Sequence, residues 1–211
     1  MKTYRVIRIK PEELVISGNS DSELWSKANL LTDFSSPWDE GSPLRTEFRA
    51  LWDGSHLFFS FMVFDNVVHL DQSRKGNDSI NNSDRVELFF RQNDAMSPYY
   101  CLEMDSSCRV MDFKANPNKQ FDFNWDWPQN GLKLKSFLAK DRYTVEGSIS
   151  IASLHSLNLI KDQIIQTGIY RAKYQKGEGS NYEPKWICWV NPDTETPNFH
   201  ISSSFGELHL G

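Results

Sequence analysis

The chain is poor in the residues that would assign it to several large classes of protein. Its 211 residues include three cysteines, Cys101, Cys108 and Cys188, in no CxxC spacing. An odd, scattered set argues against a disulfide framework or a zinc site, although one pair could still bridge. Five histidines fall at no metal-ligand spacing. No run of apolar residues approaches the length that crosses a bilayer. The start, MKTYRVIRIKPEELVISG, has no apolar core region and no small-residue cleavage site. A cytoplasmic protein would read this way, and so would a secreted one whose leader had been removed. GxSxG, Walker, GxGxxG and HExxH motifs are all missing. The formal net charge of −5 offers no basic surface for nucleic acid and leaves a neutral ligand open. Oligomeric state is not legible.

What is present is period-2 alternation. In TEFRALWDGSHLFFSFMVFD, Phe48, Ala50 and Trp52 alternate with Glu47, Arg49 and Leu51. Asp53-Gly54-Ser55 is turn chemistry, and Leu57 to Phe64 is apolar on both faces, as a central strand is. Arg85–Arg91 alternates again, with Val86, Leu88 and Phe90 on one side and Arg85, Glu87, Phe89 and Arg91 on the other. Further strands are expected near residues 4–9, 99–113, 132–150, 167–175 and 205–210. Residues 24–31 suit an edge strand or one helical turn. The pattern predicts a single all-β domain spanning 1–211, an antiparallel β-sandwich of jelly-roll or immunoglobulin-like kind with little helix.

Three features could carry function. The first is acidic: Glu103 and Asp105 alternate with Leu102 and Met104, so Glu103 could share a face with Glu87. Carboxylates on an interior face need arginines to neutralise them or a ligand to use them, and Arg49, Arg91 and Arg171 are the pairing candidates. Such groups also bond sugar hydroxyls. The second is aromatic. FDFNWDWPQN places Trp125 and Trp127 among short polar side chains, the composition of a carbohydrate surface and equally of an anchored loop. Trp38, in SSPWDEGSP, could stack on a sugar or fold back over the core. The third is the acidic loop DNVVHLDQSRKGNDSINNSD, where Asp65, Asp71 and Asp84 offer oxygen ligands for a structural calcium, or simply line a solvated turn.

The runs L-W-D-x-x-x-L-F-F-x-F-x-V-x-D (51–65) and S-D-R-V-E-L-F-F (83–90) resemble the carbohydrate-binding module family 9 superfamily. YYCLEMDSSCRVMDF, RYTVEGSISI, TGIYRAKY and WICWVNPDTETPNFHISSSFGELHL fit later family strands in order. The resemblance implies a β-sandwich that binds saccharides without an organic cofactor and often accompanies polysaccharide-degrading enzymes. It implies that Glu87 bonds the sugar and that Glu103 and Asp105 are polar contacts on the next strand. Phe199, with His200 beside it, falls where sugar binders place a stacking Trp, and structural calcium is also implied. One departure stands out: the second stacking Trp, a few residues before the acid, is replaced by Ser79-Ile80-Asn81-Asn82.

The site expected from residues and resemblance together is Glu87, Glu103 and Asp105, oriented by Arg49, with Phe199, His200, Trp125 and Trp127 supplying the remainder. The function expected is non-catalytic recognition of a mono- or oligosaccharide. The alternative is a structural or protein-interaction sandwich that has lost its sugar site.

Overall fold

A computed structural model describes residues 1–179 and 181–211. Its strands are β1 (Thr3–Arg8), β2 (Thr46–Trp52), β3 (His56–Phe64), β4 (Arg85–Arg91), β5 (Tyr99–Asp105), β6 (Val110–Asn116) and β7 (Gln120–Asp122), then β8 (Leu132–Leu138), β9 (Arg142–Ser150), β10 (Ile160–Lys161), β11 (Ile164–Lys176), β12 (Tyr182–Cys188) and β13 (Gly206–Leu210). The order along the first sheet is β7-β6-β5-β4-β11-β13-β1, with β10 and β12 also paired to β11; the second runs β1-β2-β3-β9-β8. Strand β1 serves both sheets, Thr3–Val6 pairing with β13 and Ile7–Arg8 with β2.

Both of those pairings are parallel. This corrects the expectation of a wholly antiparallel sandwich: the sheet is mixed, and it curls through β1. The cause is connection length. Residues 9–45 separate β1 from β2, enough chain for the crossover that a parallel pair requires. Helix is confined to short pieces, chiefly a 3-10 turn at Glu23–Lys27, α1 (Gly76–Asn81) and α2 (Ile151–Ser156). The 24–31 segment divides between its two expected forms, the 3-10 turn and a single bridge from Leu31 to Phe48. Among the described residues no helix is long and apolar enough to cross a membrane. All three cysteines are free.

The two sheets face one another across a core supplied by alternate residues. Phe48, Ala50, Phe59, Phe61 and Val145 of the second sheet meet Val86, Leu88, Phe90, Leu102, Met104 and Ile169 of the first. Phe48 meets Phe61 edge to face at 5.0 Å. Burial of each large side chain here is worth about 1.5–3 kcal/mol. The outer face of the second sheet is covered by residues 14–28, held by buried Glu146. Its carboxylate accepts from Gly18 N at 2.5 Å, Ser17 N at 2.9 Å and Trp25 Nε1 at 2.8 Å. The outer face of the first sheet is apolar too, with Phe89, Cys101, Phe113 and Tyr170 packed beneath loops that include Phe199 and Phe205.

A buried ion-pair group joins the sheet to the 65–84 loop. Asp65 Oδ2 lies 2.6 Å from Arg171 and 3.0 Å from Lys173, which also reaches Asp84 at 2.7 Å. Breaking a buried pair from one side strands the other charge. Asp65→Ala should therefore lower unfolding free energy by about 3–5 kcal/mol, read as a fall in the urea midpoint at unchanged slope. A loss under about 1 kcal/mol would show that water reaches Arg171.

Candidate functional site

Strand alternation sends Arg85, Glu87 and Phe89 to the outer face of β4. On the antiparallel neighbour β5, Glu103 is directly opposite Glu87. Two carboxylates at opposed positions repel unless a cation intervenes. The cation is Arg85, two residues before Glu87 and so on the same face. Its Nε lies 2.9 Å from Glu87 Oε1 and 2.6 Å from Glu103 Oε2, with all three side chains almost wholly buried. Its Nη1 donates to Asn81 O at 3.0 Å, and the guanidinium lies over the Trp186 ring at 5.5 Å. Helix α1 supplies Asn81 and β12 supplies Trp186.

The electrostatics follow from burial. Desolvation pushes the Glu87 carboxyl above its usual value, to about 8, with Glu103 adding repulsion and Arg85 opposing it. Glu103 is raised by the same burial, again opposed by Arg85. The two acids titrate as a pair. Both contacts to Arg85 are bent: Glu87 Oε1, Glu103 Oε2 and Arg85 Nε are buried without an aligned hydrogen-bond partner.

Above these acids opens a cleft of about 390 Å³, within the range of small-molecule sites. Met111 and Phe113 extend its floor, and Asn77, Asp78 and Asn81 of α1 line one part. Lys119, Phe121 and Phe123 come from the β6–β7 hairpin and the loop after it, while Trp186, Asn198, Phe199 and His200 complete the lining. Phe199 is itself buried, stacked on Tyr170 at 4.1 Å and 8° and meeting Trp186 edge-on at 5.6 Å. Tyr170 lies over Gly168, where any Cβ would collide with the phenol ring. The glycine therefore allows the ring to lie along its own strand beneath Phe199.

His200 Nδ1 pairs with the Tyr99 hydroxyl at 2.9 Å, and its ring stacks on Phe89 at 5.2 Å. Burial lowers its pKa to about 4, helped by the positive charges of Lys119 and Arg85. It is neutral at pH 7.

Of the expected site residues, the structure brings Glu87, Glu103, Phe199 and His200 together. The others sit elsewhere, which corrects the expected assembly. Arg49 belongs to β2 in the second sheet and pairs with Glu47 at 2.8 Å. Asp105 is fully buried and closes the β5–β6 turn, accepting from Ser107 N at 2.8 Å and Arg109 Nε at 2.5 Å. Trp125 and Trp127 pack on Tyr100 and Phe90 against the inter-sheet core. β7 ends at Asp122, and Asp112 Oδ2 accepts from Trp127 N at 2.5 Å, so the chain turns toward that core. Trp38 packs on Phe199 at 5.8 Å without lining the cleft.

Sequence reasoning missed Arg85, Trp186, Phe121 and Phe123. The signal for Arg85 was present, since i and i+2 share a strand face. Phe121 and Phe123 stood in the very loop whose tryptophans were chosen.

The acids of the 65–84 loop do not converge as an oxygen cage. Lys173 Nζ stands between Asp65 and Asp84, while Asp71 binds Arg74 at 2.6 Å and Ser73. Among the described residues no three His, Cys, Asp or Glu side chains are grouped to hold a metal ion.

The family comparison accounts for this fold. Residues 16–211 match the family described as carbohydrate family 9 binding domain-like. The chain belongs to that family. Among solved structures it is similar to a family 9 carbohydrate-binding module from Caldicellulosiruptor kristjanssonii in complex with glucose, at 19% identity and a TM-score of 0.61 over 100% of this chain and 96% of that one. The same organism's family 9 module in complex with cellotriose gives 20% identity and 0.59, over 99% and 93%. A candidate carbohydrate-binding protein from Bacteroides uniformis gives 16% and 0.69, over 100% and 99%. No curated protein matches the chain.

Two opposed pH effects follow. With its folded value raised from 4.5 to about 8, Glu87 holds a proton that the unfolded chain releases, so its contribution is full below about 4.5 and lost as pH rises toward 8. His200, lowered from 6.5 to about 4, contributes fully above 6.5 and loses that contribution as pH falls toward 4. Glu87→Gln should remove the alkaline loss alone. Relative to wild type, its Tm should be higher at pH 8.5 than at pH 5 by at least about 2–4 °C, the equivalent of about 1 kcal/mol for a chain of this size. A difference independent of pH would mean Glu87 is ionised throughout.

Proposed function

We propose that this chain is a non-catalytic carbohydrate-binding protein whose ligand occupies the cleft over β4 and β5. The carrying observation is the pair of buried carboxyl groups, without aligned hydrogen-bond partners, at the floor of a cleft walled by aromatic rings. A saccharide presents hydroxyl groups for such acids and apolar C–H faces for such rings. Glu87 and Glu103 bond the hydroxyls, Arg85 orients both acids, and Asn81 and Asn198 offer amides at the edges. Trp186 and the exposed Phe121 and Phe123 supply the stacking surface that residues 79–82 lack. The related modules in complex with glucose and cellotriose support the same ligand class.

Catalysis is the weaker reading of the two acids. A glycosidase separates its carboxyl groups across the scissile bond by about 5 Å or more. Here both contact a single guanidinium nitrogen, which ties them into one ion-pair group.

Tryptophan-fluorescence titration against mono- and oligosaccharides tests the proposal, because Trp186 lines the cleft. A binding sugar should lose about tenfold or more in affinity with Glu103→Gln, since a charge-assisted hydrogen bond contributes about 1.5–3 kcal/mol. Trp186→Ala should weaken it to a similar degree. Melting temperature measured on the same samples separates lost contact from lost fold. Equal affinity in two folded variants would move the site away from this cleft.

A further inference from the structure

The acids at the floor of the cleft outnumber the cation between them. Glu87 and Glu103 bring two carboxyl groups to one guanidinium, at 2.9 Å and 2.6 Å from the same Nε. The Nη1 of Arg85 is already shared among the carbonyls of Asn81, Ile80 and Ser83. Among the described residues no further buried cation contacts either acid. Cys101 and Tyr170, on the same sheet face, stay protonated because burial raises both. Tyr174, beside Arg85, is raised as well, and His200 is neutral. Asp78 of α1 and Lys119 of the β6–β7 hairpin are of opposite sign and exposed, where water and salt screen them. With no second cation, one of the two buried acids is held protonated.

The surroundings of that acid are aromatic. Trp186, Phe121 and Phe123 line the cleft, and Trp186 already lies against the Arg85 cation. Ring faces attract cations, most strongly where water is excluded. An acid excess inside an aromatic wall is the chemistry that receives an organic ammonium group.

We propose that the cleft takes an amino sugar, a hexosamine with a free amine, whose ammonium group seats against the Glu87–Glu103 pair; this rests on the saccharide reading above. Before binding, one proton resides on the pair. The incoming ammonium makes both carboxylates favourable, so the proton leaves to solvent and no bond to carbon forms or breaks. Burial of the acids, which favours the protonated form of one of them, supplies the proton that is released.

Isothermal titration at about pH 6.5, where an amine of this type keeps its charge, tests the proposal with glucosamine, N-acetylglucosamine, glucose and choline. Two buffers of different ionisation enthalpy report proton release. Glucosamine should bind about tenfold or more tightly than N-acetylglucosamine, and its heat should differ between the buffers. Glu87→Gln, shown to be folded by circular dichroism and thermal melting, should reduce that preference to near parity. Glu103→Gln is the substitute if the first variant does not fold, because either leaves one acid for one arginine.

If glucose or N-acetylglucosamine binds as tightly as glucosamine, the amino-sugar assignment is overturned and the saccharide reading stands. Preference without proton release overturns the seating against the acid pair. Choline binding as tightly as glucosamine would show a cation site indifferent to the sugar ring, which also overturns it. If no sugar of this set or the wider panel binds, both readings fall together.

Discussion

The outer face of the first sheet depends on one guanidinium. Arg85 sits on a strand flanked by β5 and β11, fully out of water, and it is tolerable there only because two acids and three carbonyl groups surround it. Those same contacts fix the geometry around it. Glu87 and Glu103 are turned toward a common point, the end of α1 is tied to β4 through Asn81, and the Trp186 ring has a cation against which to lie. Removing Arg85 would leave two facing carboxyl groups and a Trp186 ring without its cation, with the Tyr174 hydroxyl still holding Asn81 O.

The sheet beneath is arranged so that this cluster can be afforded. Its inner face is built from aliphatic and aromatic side chains packed against the second sheet, and this supplies the stability against which a polar outer cluster is tolerated. The outer face is polar where the cleft opens and again at the far end of β4, where buried Arg91 bonds Gln166 and Asp94. Elsewhere Phe89, Phe113, Tyr170 and Phe205 seal it, and the Tyr170–Phe199 stack carries that seal to the edge of the cleft.

Much of this was legible in the sequence, because strand alternation is a local property. It placed Glu87 and Glu103 on one face and marked β3 as central. Pairing that depends on distant chain was not legible. Arg49 and Arg85 look equivalent as partners for an acid until the sheets are assigned, and they lie on different ones. Alternation from Phe121 to Trp127 would keep all four rings on one side. The hairpin strand ends at Asp122 and divides them, two toward the cleft and two toward the core. The parallel pairings of β1 were invisible for the same reason, since a crossover leaves no periodic trace.

Those parallel pairings bear on how the molecule would carry load. Thr3 pairs with Glu207 and Val6 with Leu210, so β1 and β13 lie side by side and point the same way. Tension applied between residue 3 and residue 210 runs along both strands, and the hydrogen bonds between them lie across its direction. They must fail together in shear, as rungs of a ladder slid sideways, and cannot be opened one at a time from an end. Because β1 also joins the second sheet, the same pull is passed across the sandwich before any strand can leave. A module held by its two ends would on this account be mechanically stiff, with the cleft lying on β4 and β5, away from the strands that bear the strain.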